Sequence, residues 1–504
     1  MKRFLGSSMW LFAGIMLGRI LGLVRDLVIA NQLGQGVDAD RAIFVVTIPD
    51  VMVNILIGGA MGAALIPEFK RRGPGDNWAL FRQSGWAVFG VMAAATAALA
   101  VFAGPITRML VSGLPEEAVP GTARLVQICL WAVPFTAASA VVRAKLQSHE
   151  RFAVPSFAGF VYNLAIVLGL VAAGFFADLR WLAVSAVGGA VLSLGMQVAD
   201  SWKFRETGGA KPGLQIDHRL TGRYIGALLA GSAVLVLPVA MRAFASTNGP
   251  GGQAVVYYAS KLVDLPMGTV LTIVSIAMFP AIADAFAKAE SHPEGVRLAQ
   301  NGLRAVLALA LPVALGMGVF SLAFSNLLYR HGEMGSDGAR QVGALAAVMM
   351  VGLVPQALNS MLLVVFDALR DMVTPFILSL VAILGFLAAG FLGVRGLLPL
   401  AWLYAGFHWC LMVALAAGLA IRHKLRLFEP GFATKALAGI AGSGVAFGIF
   451  CLAAYRAATD LPPAAGVCLA ILGGIASLAG GLAADPETRR SLSGAVLRKL
   501  RKAA

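Results

Sequence analysis

The chain is short of charge. Of its 504 residues only 13% are Asp, Glu, Lys or Arg, while 59% are hydrophobic. A soluble domain is nearer a quarter charged and about half apolar. That shortage excludes an ordinary soluble enzyme. Cysteine is also scarce: Cys129, Cys410, Cys451 and Cys468 lie scattered in apolar segments with no CxxC pair. A thiolate metal site and a disulfide framework are therefore excluded, and these residues read as packing. There is no Walker A sequence, so no ATP hydrolysis, and no HExxH metal motif. The GPGG at 249–252 is a loop between helices, not a phosphate cradle after a strand. No loop is long enough for a nucleotide-sugar site or a docking domain, which weighs against an intramembrane glycosyltransferase and against a scaffold.

What is present is apolar sequence, in continuous runs of about 20 residues that recur along the whole length. Alternating runs of the β-barrel kind are missing. The mean hydropathy is +0.81. The 58 glycines suit helices that approach closely in lipid. The pattern predicts an all-α integral membrane protein of about fourteen spans, at roughly 8–32, 42–69, 82–104, 122–146, 153–176, 181–201, 222–244, 253–284, 302–329, 341–367, 373–393, 397–421, 434–456 and 463–484. The first follows a short basic Met1-Lys2-Arg3 and carries charges itself, so it reads as an uncleaved helix.

The net charge of +15 is a topology signal rather than a nucleic-acid footprint. Alternate loops differ sharply. Lys70-Arg71-Arg72, the 203–223 stretch, Arg422/Lys424/Arg426 and the tail around Arg489–Lys502 are basic; NQLGQGVDAD, GLPEEAVPG, STNGPGGQ and TDLPPA are not. The positive-inside rule then puts both termini in the cytoplasm, and the tail can also touch anionic lipid.

The chain reads as duplicated. IPDVMVNILIGGAMGAALIPEF resembles KLVDLPMGTVLTIVSIAMFPAI, with Pro67 matching Pro280; Pro49 and Pro266 align across a short gap. LQSHERFAVPSF resembles FDALRDMVTPFI, with Pro155 matching Pro375. A repeat of six helices keeps both copies in one orientation, which makes them parallel repeats. The expected organisation is a first lobe over 1–205, a second over 206–428, and an appended helix pair with a basic tail over 429–504. Two such lobes describe an alternating-access transporter.

Ionisable residues inside spans are functional candidates. Arg19, Arg25 and Asp26 lie in the first span. Arg19 and Asp26 are seven residues apart, on one helix face about 10 Å apart, and Gly18 and Gly22 form a GxxxG step beside Arg19. Asp40 and Arg41 stand at the outer end of the second, with Asp50 and Asn54 deeper and four residues apart. Lys261 and Asp264 precede Pro266, which should break the helix. Arg41 and Arg242 read as snorkelling end residues. Arg19, Arg25 and Lys261 read as a cationic binding set for an anionic substrate. Asp26, Asp40, Asp50, Asn54 and Asp264 read as charge-pairing or gating groups. A guanidinium fork suits phosphate because it engages two oxygens. His408 reads as packed and hydrogen-bonded, and Asn163, Gln356 and Asn359 as interhelical glue.

GRILGLVRDLVIANQLGQGVDAD, with TIP and LIPEF after it, resembles the start of the MurJ (MviN) family of lipid II flippases. ASKLVDLPMG, RFAVPSFAGFVYN, YRHGEM and ALRDMVTP resemble further family segments. The resemblance spans nearly the whole chain. It implies the multidrug/oligosaccharidyl-lipid/polysaccharide exporter superfamily, with two six-helix lobes and two extra helices forming a groove for a lipid tail. It implies transport of undecaprenyl-pyrophosphate-linked peptidoglycan precursor from the inner to the outer leaflet of the bacterial inner membrane. The implied protein is not an enzyme, works as a monomer among membrane lipids, binds no nucleic acid and needs no cofactor; its coupling ion stays open. Arg19, Arg25, Asp26 and Asp40 match charged family positions, and Lys261 falls where the family has a cavity arginine. The second span departs: the family's Asn-Leu-Leu-Arg-Arg is here Asp50-Val51-Met52-Val53-Asn54, and its Glu-Gly pair is Gly58-Gly59. Those departures leave two other readings open, a flippase for another polyprenyl-pyrophosphate glycan and a drug or metabolite antiporter of the superfamily.

Overall fold

The computed structural model describes residues 2–57, 60–205, 222, 224, 233–287, 292–455 and 462–490. Among them every regular element is a helix. In hydrocarbon that is the expected solution, because a helix satisfies its backbone groups within one segment. Nine helices are long and apolar enough to cross a membrane among the described residues, or ten if the bent pair Gly332–Met350 and Leu353–Ala368 counts as one span. The other predicted spans are a long charged helix; 42–69, described except at residues 58 and 59; 253–284, broken at Pro266; and 222–244, which lies largely outside the described residues. The basic stretch 206–221 and the tail beyond 490 also lie outside them.

The chain forms two compact units, Met1–Ala254 with His331–Met334, and Val255–Arg330 with Gly335–Ala504. The first contains α1 (Lys2–Leu33), α2 (Val37–Ile57), α3 (Ala60–Arg71), α4 (Pro74–Val101), α5 (Ala103–Leu110), α6 (Ala118–Cys129), α7 (Ala132–Ser148), α8 (Ala153–Phe176), α9 (Arg180–Ser201) and α10 (Leu237–Ser246). Next comes α11 (Gly252–Pro266), whose first residues, through Ala254, belong to the first unit. The second unit continues with α12 (Thr272–Ala287), α13 (His292–Val319), α14 (Ser321–Tyr329), α15 (Gly335–Met350), α16 (Leu353–Ala368), α17 (Val373–Phe391), α18 (Leu397–Arg422), α19 (Pro430–Tyr455) and α20 (Pro463–Ala484).

Several expected single spans are divided. The 122–146 span is α6 and α7, and the 302–329 span is α13 and α14. The 253–284 span stops at Pro266 and passes through a π-helical turn, Met267–Leu271, before α12. A proline ring removes a helix hydrogen bond and clashes with the preceding turn, so a break there is expected.

The duplication is visible in one turn. Glu150 and Arg370 both take left-handed backbone, with φ of 59° and 58°. The next N–H in each case reaches back five residues, Arg151 to Leu146 O at 2.9 Å and Asp371 to Phe366 O at 3.0 Å. Pro155 and Pro375 then occupy the third position of α8 and α17, where a helix tolerates proline.

In the second unit α19 and α20 cross closely at Gly442 and Gly480. A Cβ on either would lie 2.5 Å from the other's carbonyl oxygen. α20 is seated on α13 at Gly316, where a Cβ would lie 2.8 Å from Ala470 O. Few residues of Pro430–Ala454 are buried, so α19 keeps most of its surface for lipid.

Candidate functional site

The charged part of α1 is set by its crossing with α8. Gly14, Gly18 and Gly22 form the contact stripe. A Cβ on Gly14 would collide with Ser156, one on Gly18 would lie 3.3 Å from Phe160 N, and one on Gly22 would lie 3.5 Å from Asn163 Nδ2. That proximity brings Asn163 to α1. Its Nδ2 donates to Gly18 O at 3.2 Å and to Gly159 O at 3.0 Å. Its Oδ1 accepts from Arg25 Nη1 at 3.1 Å.

Arg25 is enclosed. Its Nε donates to Asp26 Oδ1 at 3.0 Å, and Nη1 stands 3.8 Å from Asp50 Oδ2 on α2. Tyr162 adds a hydrogen bond from its hydroxyl to Asp50. Arg25 is 7% exposed and Asp26 3%, whereas the Asp50 side chain is 40% exposed. A buried guanidinium holds its charge only with such partners, since desolvation otherwise exceeds the Coulombic gain. Arg25, Asp26 and Asp50 set one guanidinium against two carboxylates, so they are an acid-rich cluster rather than a cationic patch. Arg19, seven residues before Asp26, is exposed. The polar stripe of α1 is therefore buried at Arg25 and Asp26 but not at Arg19.

Asp40 is fully buried and takes backbone partners. Its Oδ2 accepts from Gly251 N–H at 2.7 Å and its Oδ1 from Ala254 N–H at 2.8 Å. It thus caps the start of α11, where a carboxylate meets unsatisfied donors and the positive end of the helix dipole. Arg41 and Arg242, expected to snorkel, are tied to protein instead. Arg41 donates to Asp38 Oδ1 at 2.7 Å and Thr122 Oγ1 at 3.1 Å; Arg242 donates to Pro238 O at 2.9 Å and Thr47 Oγ1 at 3.1 Å. The side chains of Val53 and Asn54, and the whole of Gly58, lie outside the described residues.

In the second unit Lys261 is half-buried, with Nζ 4.7 Å from the centroid of the Tyr257 ring one turn earlier. Asp264, three residues on, is exposed and within electrostatic range of Tyr404. Tyr404 donates to Gln356 at 3.3 Å and meets the His408 ring edge-on at 4.7 Å. His408 is buried, as expected, but not hydrogen-bonded through its ring. Neither nitrogen has a partner among the described residues, and only its backbone oxygen accepts, from Asn359 Nδ2 at 3.1 Å. Apolar packing by Tyr404 and Phe407 replaces the expected hydrogen bond. Tyr162 and Tyr257 were not singled out in the sequence. Tyr257 had a signal, an aromatic residue four positions before an intramembrane lysine.

The model of the family described as "Lipid II flippase MurJ" matches residues 29–452. The lipid II flippase MurJ of Burkholderia cenocepacia is 26% identical over 380 residues, covering 71% of this chain and 72% of the relative. A Vibrio cholerae protein named probable lipid II flippase MurJ is 25% identical over 455 residues, covering 81% and 83%. Among solved structures, "Lipid II flippase MurJ, inward closed conformation" superposes with a TM-score of 0.79 at 16% identity, covering 96% of this chain and 99% of the other. An inward-facing multidrug resistance MATE family transporter of the MOP superfamily shares the fold at a TM-score of 0.64 and 14% identity, covering 84% and 99%. With a family model matched over most of its length, α2 and α11 included, the chain belongs to the MurJ family.

Proposed function

We propose that this protein flips lipid II from the inner to the outer leaflet of the bacterial inner membrane by alternating access, with both termini in the cytoplasm. The observation that carries this reading is a set of cations in otherwise apolar helices, within a family whose named relatives are lipid II flippases. The orientation is supported by the basic residues of alternate loops.

Arg19 and Lys261 are the cations that make first contact with the pyrophosphate. Arg25 joins by exchange. Its bond to Asp26 is short, but Asp50 stands off at 3.8 Å and is partly exposed, so a phosphate oxygen can replace it. Asp26 keeps Arg25 in place while Asp50 swings clear, which couples substrate binding to α2. Asp40 and Asp264 act in gating. The polyprenyl tail stays in lipid along α19 and α20, which the low burial of α19 supports. The protein works as a monomer, without a cofactor, and draws on an ion or potential gradient. The relatives' names favour this reading over a glycan-lipid flippase of another pathway, and the MATE likeness is one of fold alone.

The test is rescue of a bacterium depleted of its own lipid II flippase, with insertion confirmed and outer-leaflet lipid II scored. Growth that depends on Arg19, Arg25 and Lys261 supports the reading. Failure despite normal insertion favours another polyprenyl-linked glycan, with the Val53, Asn54 and Gly58 departures as the reason.

A further inference from the structure

A large cavity lies away from the α1 cluster. It is a cleft of about 1360 Å³ inside the first unit, at the end of the bundle where α1 finishes and α6 and α9 begin. Three arginines stand at its mouth, Arg41, Arg124 and Arg180. Two aspartates accompany them, and both are engaged: Asp38 with Arg41 at 2.7 Å, Asp178 with Arg180 at 3.0 Å. Arg124 is exposed and makes no hydrogen bond or ion pair among the described residues, so the mouth keeps one uncompensated positive charge. Gly121 makes room there for the Arg41 guanidinium; a Cβ on it would lie 3.2 Å from Arg41 Nη2.

Below the mouth the walls are apolar and open. Val184 is 52% exposed, Val191 42% and Trp131 43%. Gly188, between the two valines, has nothing within 4 Å of where a Cβ would be. From Arg180 to Val191 the helix descends about 16 Å, and one leaflet of hydrocarbon is about 15 Å deep. The cleft therefore has a cationic mouth at interface level and an apolar trough one acyl chain long.

We propose that this cleft binds an anionic phospholipid of the surrounding bilayer, its phosphate on Arg124 and one acyl chain along Val184, Gly188, Val191 and Trp131. In the orientation given above this lipid comes from the outer leaflet. The binding itself depends neither on that orientation nor on lipid II being the transported substrate. A resident lipid here fills the splay between α6 and α9 and keeps water out of the first unit.

The test uses the full chain in nanodiscs of phosphatidylcholine carrying a small fraction of photoactivatable phosphatidylglycerol, with crosslinked peptides mapped by mass spectrometry. Both leaflets are present, so the readout is independent of flipping. Labelling is expected on the 184–191 segment and at Trp131. Unlabelled phosphatidylglycerol should compete, and phosphatidylcholine and inorganic phosphate should not. Arg124→Gln is expected to lower the labelling about fivefold, the worth of one basic group near an anionic surface. Gly188→Leu, which fills open space without a clash, should lower it independently by blocking the trough. Labelling unchanged in both variants, or equal competition by phosphatidylcholine, overturns the proposal in favour of unselective boundary lipid. Equal competition by inorganic phosphate overturns it in favour of a free-anion site.

Discussion

Arg25 in the first unit and Lys261 in the second are both cations on apolar helices, and they are held in opposite ways. Arg25 is buried, forked between Asp26 and Asn163, with Asp50 standing by. Lys261 stays half-exposed, its ammonium over the face of Tyr257. The difference follows from hydration. A guanidinium taken out of water needs carboxylates and carbonyls in fixed positions, whereas an ammonium at the edge of the protein keeps its water and gains about 0.5–1 kcal/mol from a ring face. Intramembrane cations are therefore not equivalent candidates. One is enclosed by carboxylate and amide partners in the interior; the other is only half-buried, beside an aromatic ring.

The sharpest way to break this comparison is Arg25→Ala. It strands Asp26 in the interior and should cost about 3–5 kcal/mol, read as a large fall in melting temperature in detergent. Removing both charges with Arg25→Leu/Asp26→Leu should recover much of that loss, since a double change exposes the coupling of a contacting pair. Asp40→Ala comes next. Losing a buried helix cap should cost about 1–2 kcal/mol, with faster hydrogen exchange at Gly251 and Ala254, the two amides it now accepts from. Lys261→Ala should change stability by less than about 1 kcal/mol yet abolish rescue of the depleted strain, and Lys261→Arg should retain it. A melting loss for Lys261→Ala as large as that of Arg25→Ala would erase the distinction.

The smallest effect concerns Asp371, outside the spans. Burial pushes its carboxyl up. Bonds from the Thr374 side chain and backbone, then His423 and the Arg422 charge, outweigh burial and bring it down to about 2. A lowered carboxyl contributes stability that is present above the usual value of 3.8 and lost as pH falls through about 2. Melting temperatures of the wild type should therefore fall over that window, and those of Asp371→Asn should fall less. The partner turn in the first unit has Arg151 at this position, over Phe204, and offers no such carboxylate.

The helices were legible in the sequence because lipid forces long apolar runs and proline marks their starts. The predicted 153–176 span is α8 as observed. Gly18 and Gly22 announced a close helix contact on α1, but not that its partner is α8 or that Gly14 extends the stripe. The breaks were less legible, because hydropathy continues across them: α6 and α7 read as one run although the helix is interrupted at Leu130 and Trp131. Side-chain partners across helices were least legible. Local spacing relates Arg25 to Asp26, but nothing in it brings Asp50 or Asn163 to the same guanidinium. Likewise the Asp40 carboxylate meets backbone amides 211 and 214 residues away, donors that leave no mark in residue identity.

The central claim is that accessible cations in apolar helices carry the anionic head of lipid II. It is tested most directly by reconstituting the purified protein in vesicles with labelled lipid II and following its appearance in the opposite leaflet for the wild type, Arg19→Ala and Lys261→Ala. The account predicts flipping by the wild type and its loss in both variants at unchanged melting temperature. Wild-type flipping in both variants would contradict it.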